Sequence, residues 1–289
     1  MKPAALTHVH AERAAPNVLT VRVDCVNNRR FLALLRSDAH HDNGHTDQAM
    51  EKRHLREAVE RGAAILDIGD LHCAMQGKWD RRASRDGMRP EYQSGNYLDR
   101  LVECAADFYA PYADHLLHFS PGNHETAIIK AHETDLTDRT VNALRERGAA
   151  DLTRGSYAGW IALRLNYGTK RRSFVIRYTH GYGGGGMMTH GILATRREAS
   201  QFPDAQLLWS GHTHDSWTVD LARERLSNQG TVYSDTQTHV KTPGYKPETL
   251  EGSGWAVERG SPPKPLGAVW LEAWIDFDGV VHHKIEVAR

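Results

Sequence analysis

Apolar residues recur at two different periods along this chain, and the changes between them mark out its elements. Strand-like runs over 19–25 and 31–36 give way to helical spacing over about 47–61. A compact apolar run over 63–68 then ends in Gly69-Asp70, as a buried parallel strand entering a loop does. A helix over 97–116, a strand over 116–120 and a helix over 126–147 continue the alternation. Strands then dominate, over 160–166, 174–179, 206–210, 217–221, 231–236 and 268–276, with one helix over about 189–200. The chain has no internal repeat. Its compositionally loose stretches are the glycines at 183–186 and the Pro/Gly-rich segment 241–265, which is too long for a turn. Helices flank strands in both halves with no linker between them. This predicts an α/β chain forming one domain over 1–289, with two β-sheets packed face to face and helices outside.

Composition narrows the function classes. Lys plus Arg and Asp plus Glu both number 36, so attraction to a polyanion would have to come from a local patch. Three cysteines without zinc-site spacing fit a reducing compartment better than a disulfide framework. No apolar leader core or membrane-length apolar run occurs, and a soluble cytoplasmic protein is expected. Histidine is the unusual residue, at 18 copies, and it is the commonest metal ligand.

Five separated strand ends finish in ligand-type residues: Asp38 and His40, Asp70, Asn123 with His124, His180, and His212 with His214. Residues two apart on a strand face the same side, so Asp38/His40 and His212/His214 can each aim two ligands at one place. Loops at the carboxyl ends of α/β strands form the usual binding crevice. Carboxylate, imidazole and amide oxygen together suit Mn, Fe, Zn, Ni or Co, and the lack of cysteine ligands argues against a structural zinc site. Each segment alone has a plainer reading, Gly69-Asp70 as a turn for example. Histidines such as His54, His115, His132, His239, His282 and His283 read as surface or packing residues.

The order Asp-x-His, Gly-Asp, Gly-Asn-His-Glu, a lone His after a strand, then Gly-His-x-His resembles the calcineurin-like metallophosphoesterases across residues 38–214. The resemblance implies a four-layer αββα sandwich of two mixed sheets and a pair of divalent ions, with manganese favoured. Asp38, His40, Asp70 and His214 would hold one ion, and Asp70, Asn123, His180 and His212 the other, with Asp70 as the bridge. It also implies that His124 acts as general acid or transition-state stabiliser. The Pro/Gly-rich segment 241–265 is expected to be a loop near the active site. One motif departs. Protein phosphatases of the superfamily carry Gly-Asp-x-x-Asp-Arg-Gly, whereas this chain reads Gly69-Asp70-Leu71-His72-Cys73-Ala74-Met75 and lacks the second acid that orients the catalytic histidine.

That departure favours a phosphodiesterase, compact and nuclease-like or phage-type. A phosphomonoesterase, a protein phosphatase and a catalytically inactive binding protein are the alternatives. Between the second and third motifs, Lys78, Arg81, Arg82, Arg85 and Arg89 gather beside Trp79. This segment reads either as a solvated helix start or as a rim for phosphate with Trp79 stacking on a base, the substrate then being DNA, RNA or a nucleotide.

Overall fold

The computed structural model describes Leu6, residues 8–75, 87–184 and 189–247, Thr249, and residues 255–258 and 260–288. Among these the elements run β1 (Val9–Ala15), β2 (Val18–Asp24), β3 (Phe31–Arg36), α1 (Gln48–Glu60), β4 (Ala64–Asp67), α2 (Tyr97–Tyr109), β5 (Leu116–Phe119), α3 (Asn123–His132) and α4 (Leu136–Glu146). They continue with β6 (Thr153–Arg154), β7 (Ala158–Tyr167), β8 (Lys170–Thr179), α5 (Ala194–Gln201), β9 (Leu207–Ser210), β10 (Trp217–Leu226), β11 (Val232–Lys241), α6 (Trp255–Glu258), β12 (Ala268–Ile275) and β13 (Val281–Ala288).

The strands form two mixed sheets, ordered β13-β12-β3-β4-β5-β6 and β1-β2-β7-β8-β9-β11-β10. Strands β3, β4 and β5 are parallel neighbours, and β8 runs parallel to β9. The apolar runs of β3 and β4 are continuous up to their last residue, and β5 is interrupted only by the buried His118, because these strands are covered on both faces. On one side Phe31, Leu35 and Leu66 meet Val21, Leu163, Ile176 and Trp209 of the seven-stranded sheet. On the other, Leu34, Ile65 and Leu116 pack against Leu55 of α1, Tyr109 of α2 and Leu144 of α4. Across the seven-stranded sheet, α5 is followed by Phe202, whose ring lies 4.6 Å from the Arg177 guanidinium on β8. Two mixed sheets flanked by helices are the arrangement the sequence resemblance implied.

Several boundaries differ from the sequence pattern. The helix expected over 97–116 stops at Tyr109, and Pro111 enters a 3-10 turn, Ala110–His115. The helix expected over 126–147 is two helices: Glu133 is left-handed at φ 53°, and Asp135 caps α4 by accepting from the Asp138 amide. The helix expected from 189 begins at Ala194. Strands β1, β6 and β13 are additional to those expected.

None of the helices among the described residues is long and apolar enough to cross a membrane. Cys25, Cys73 and Cys104 are all free thiols.

Candidate metal centre

The parallel ladder continues past the ends of β3 and β4, and this extension places the first ligands. Asp38 donates its amide to the Gly69 carbonyl at 2.9 Å, and His40 donates to Asp70 at 2.9 Å. Asp38, His40 and Asp70 are all left-handed, at φ 54°, 46° and 54°, as are His212 and His214 at 71° and 55°. Side chains rarely adopt this region, and such outliers cluster at functional sites where surrounding structure holds them.

Each aspartate anchors one oxygen on backbone and turns the other inward. Asp70 Oδ1 accepts from the His124 amide in the first turn of α3 at 2.9 Å, where the helix dipole favours a carboxylate. Asp70 Oδ2 lies 3.1 Å from His180 Nε2 and 3.7 Å from His124 Nε2. Asp38 Oδ2 accepts from the His212 amide at 2.9 Å, while its Oδ1 faces His214 Nε2 at 3.5 Å and His180 Nε2 at 3.9 Å. Two motif glycines make these approaches possible. A Cβ on Gly122 would stand 2.1 Å from Asp70 Oδ1, and one on Gly211 would stand 2.6 Å from Asp38 Oδ2.

Two ligand sets result. Asp38, His40 and His214 form one and Asp70, His180 and His212 the other, with the ligand atoms of each set within 4.8 Å of one another. A third group at the same spacing, His40, Cys73 and His124, shares His40 with the first, and burial pushes its Cys73 thiol up to about 12. His40 Nε2 and His214 Nε2 face each other at 3.3 Å, and Asn123 Oδ1 lies 3.1 Å from His180 Nε2. Asp38 Oδ1 and His40 Nδ1 are buried with no hydrogen-bond partner among the described residues. A buried carboxylate oxygen with no donor, aimed at paired imidazole nitrogens, suits a divalent cation. The structure thus brings together Asp38, His40, Asp70, Asn123, His180, His212 and His214, with His124 at their edge.

The electrostatics fit a cation site. Burial would raise Asp38, but the neighbouring His214, then His180, hold it below its ordinary value. Burial acts the same way on Asp70, and His180 and His124 hold it well below. Burial would lower His180, yet Asp70, Asp38 and Glu125 push it up to about 9. His40 is driven down by burial and by His124. Metal binding displaces such protons.

Sequence reasoning left three supports unseen. Glu125 is fully buried and accepts from the amides of Asp70 at 3.1 Å, His72 at 2.9 Å and Gly122 at 2.8 Å, so it stitches the second motif to the third. Burial, with Asp70 adding to it, raises this carboxyl to about 8. It does not replace the missing acid on His124, whose Nδ1 bonds the Cys73 carbonyl at 2.5 Å instead. The third support is Asp42, buried beside the same loop. Of these, only the Glu in Gly-Asn-His-Glu stood in a recognisable motif.

The segment 241–265, expected as a loop, includes the short helix α6 (Trp255–Glu258), and its described ends touch two of the ligand-bearing segments. The Tyr245 amide donates to the Asp38 carbonyl at 3.2 Å, and Lys264 Nζ donates to Asp215 at 2.5 Å, one residue beyond His214. Lys78, Trp79, Arg81, Arg82 and Arg85 lie outside the described residues. Arg89, at the end of that basic segment, donates to the carbonyls of Asn43 at 3.1 Å and Thr46 at 2.7 Å and braces the loop after β3.

No family model and no curated protein matches the chain. Two solved structures align with most of it. A conserved uncharacterized protein, a predicted phosphoesterase from Streptococcus pneumoniae, is 11% identical over 90% of this chain and 98% of its own, with a TM-score of 0.33. The Vps29 protein of Chaetomium thermophilum is 11% identical over 89% of this chain and 95% of its own, with a TM-score of 0.36. The resemblance to the calcineurin-like metallophosphoesterases rests on this chain's own five motif segments, whose ligand-type residues the structure brings together.

Proposed function

We propose that this chain is a dinuclear-metal-dependent phosphoester hydrolase, a phosphodiesterase acting on nucleic acid or nucleotides, with manganese the favoured ion. The observation that carries the reading is the pair of adjoining ligand sets, Asp38/His40/His214 and Asp70/His180/His212, each within 4.8 Å, with Asp70 Oδ2 turned between His180 and His124.

When bound, two divalent ions supply Lewis-acid activation of water and charge neutralisation of the phosphoryl group. The chain supplies the rest. Asp38, His40, Asp70 and His214 would hold one ion, and Asp70, Asn123, His180 and His212 the other. His124 has Nδ1 engaged with the Cys73 carbonyl, which leaves Nε2 as the atom that hands a proton to the leaving oxygen. Two features support a diester substrate: the absence of the phosphatase motif's second acid, and the basic segment containing Lys78, Arg81, Arg82 and Arg85 with Trp79.

The test combines metal analysis with hydrolysis of bis(p-nitrophenyl) phosphate and p-nitrophenyl phosphate. About two ions per chain, loss of hydrolysis on chelation and a preference for the diester are expected. Undiminished hydrolysis in excess chelator overturns the metal-dependent reading, and a preference for the monoester with every ion overturns the diesterase.

A further inference from the structure

The Asp42 carboxylate is buried, and nothing in the reaction just described uses it. Its Oδ1 accepts from the Cys73 amide at 2.5 Å, and its Oδ2 accepts from the Ala74 amide at 3.1 Å and from Tyr97 Oη at 2.7 Å. The Ala74 amide and the Cys73 carbonyl belong to one planar peptide unit, with N–H and C=O pointing in opposite directions. Asp42 therefore grips one side of that plane while His124 Nδ1 binds the other, at 2.5 Å from the carbonyl oxygen.

We propose that Asp42 is the positioning residue for His124, acting through the Cys73–Ala74 peptide, with Tyr97 holding the carboxylate in place. The inference rests on the hydrolase reading for the role of His124. Two physical effects operate. Asp42 fixes the tilt of the peptide plane, including the left-handed turn at Ala74, φ 48°, and so fixes where the carbonyl sits. A carboxylate on the N–H side also polarises the amide and strengthens its carbonyl as an acceptor, since linked hydrogen bonds reinforce one another. The imidazole then keeps its Nδ1 proton, with Nε2 toward Asp70; the proton handed to the leaving oxygen is the Nε2 proton of the imidazolium, and its transfer leaves the neutral Nδ1–H tautomer. Residue 73 is where the phosphatase motif has its second acid. Here the carboxylate comes from the loop after β3 and reaches the histidine through one amide.

The test is Asp42→Asn and Tyr97→Phe in the full chain loaded with manganese. Whichever way the introduced side-chain amide is turned, one of the two backbone donors loses its acceptor. Each variant is assayed on a diester with an alkoxide leaving group and on bis(p-nitrophenyl) phosphate, whose leaving group needs little protonation. For Asp42→Asn, kcat on the alkyl diester is expected to fall about 10- to 100-fold, the range seen when an outer partner of a site residue is lost. KM, metal content and the p-nitrophenyl rate should hold. Tyr97→Phe should fall in the same direction by less.

Equal loss on both substrates, or no loss on either, makes Asp42 a loop brace and overturns the proposal. If Asp42→Asn does not fold, Tyr97→Phe and the nitrogen shifts of His124 in the metal-free parent decide. A protonated Nδ1 is expected, and a bare Nδ1 overturns the proposal. A parent that cleaves no phosphate ester overturns the hydrolase reading, while the nitrogen measurement still judges the contact.

Discussion

Replacing Arg36 by methionine removes the guanidinium from a fully buried cluster at the end of β3, two residues before Asp38. That group donates to Asp67 Oδ2 at 2.8 Å, Glu51 Oε1 at 2.7 Å and Tyr109 Oη at 2.8 Å. Arg36, Glu51 and Asp67 are all inaccessible to solvent. Methionine fills most of the volume, so the main loss is electrostatic. Stranding buried partners in this way costs about 3–5 kcal/mol. An unfolding entropy of about 2.1 cal/mol/K per residue over 289 residues gives about 0.6 kcal/mol/K, so the expected fall in Tm is about 5–8 °C.

The pH dependence is a second readout. Burial would raise Glu51, but Arg36 and His41 bring it down to about 2, so its contribution is complete above its ordinary value and lost as pH falls toward 2. Asp67 runs the other way. Burial outweighs Arg36 and raises it to about 6, so its contribution is present at acid pH and lost as pH rises through 6. Without Arg36, burial governs both carboxyls and favours their protonated forms. The deficit of the variant should therefore shrink as pH is lowered from about 7 to 5. Calorimetry of the parent, Arg36→Met and the triple variant Arg36→Met/Glu51→Gln/Asp67→Asn decides the matter. The triple variant should recover most of the loss, because no charge is left stranded. A deficit that is independent of pH, or a triple variant no better than the single one, refutes the reasoning.

His124→Ala should retain its metals and lose turnover by about 10²- to 10⁴-fold, less with a good leaving group; falling metal content would make His124 a ligand instead. Gly122→Ala should lose metal, because its Cβ would overlap Asp70 Oδ1 at 2.1 Å and the Asp70 backbone nitrogen at 2.4 Å, and metal analysis, with circular dichroism to report the fold, checks this. Neutralising Arg81, Arg82 and Arg85 together should weaken oligonucleotide binding and flatten its salt dependence while sparing a small chromogenic diester, and equal binding by parent and variant at every salt concentration counts against the rim.

The interior of the fold was legible wherever burial wrote a clear pattern. Strand β3 falls on the six residues expected for it, since FLALLR is apolar for a strand covered on both faces. Edge strands are harder to read. Strand β13 is only partly buried along most of its length and β6 has two residues, so neither leaves a run long enough to register. The break between α3 and α4 was masked because apolar spacing continues across it. The clues to it, a left-handed Glu133 and the Asp135 cap, are properties of single residues.

At the centre, the ligand types announced themselves by standing at strand ends. What holds them did not, because the contacts of Asp42, Glu125 and the Cys73 carbonyl run through backbone atoms. The partner of an N–H or C=O depends on how loops meet in space, which side-chain identity does not record.

The left-handed ligand residues set stability against chemistry at the same few torsion angles. His40, His212 and His214 occupy a region that glycine enters freely and other residues at a cost on the order of 1 kcal/mol each. Glycine at these three positions would relax the torsions but would not harden the chain: His40 and His214 are buried, and His214 faces the buried Asp38 carboxylate, so their loss leaves voids and a stranded charge as well as misaimed chemistry. Improving both properties at once means leaving these torsions alone and strengthening the chain elsewhere, for example along the exposed edges of the two sheets.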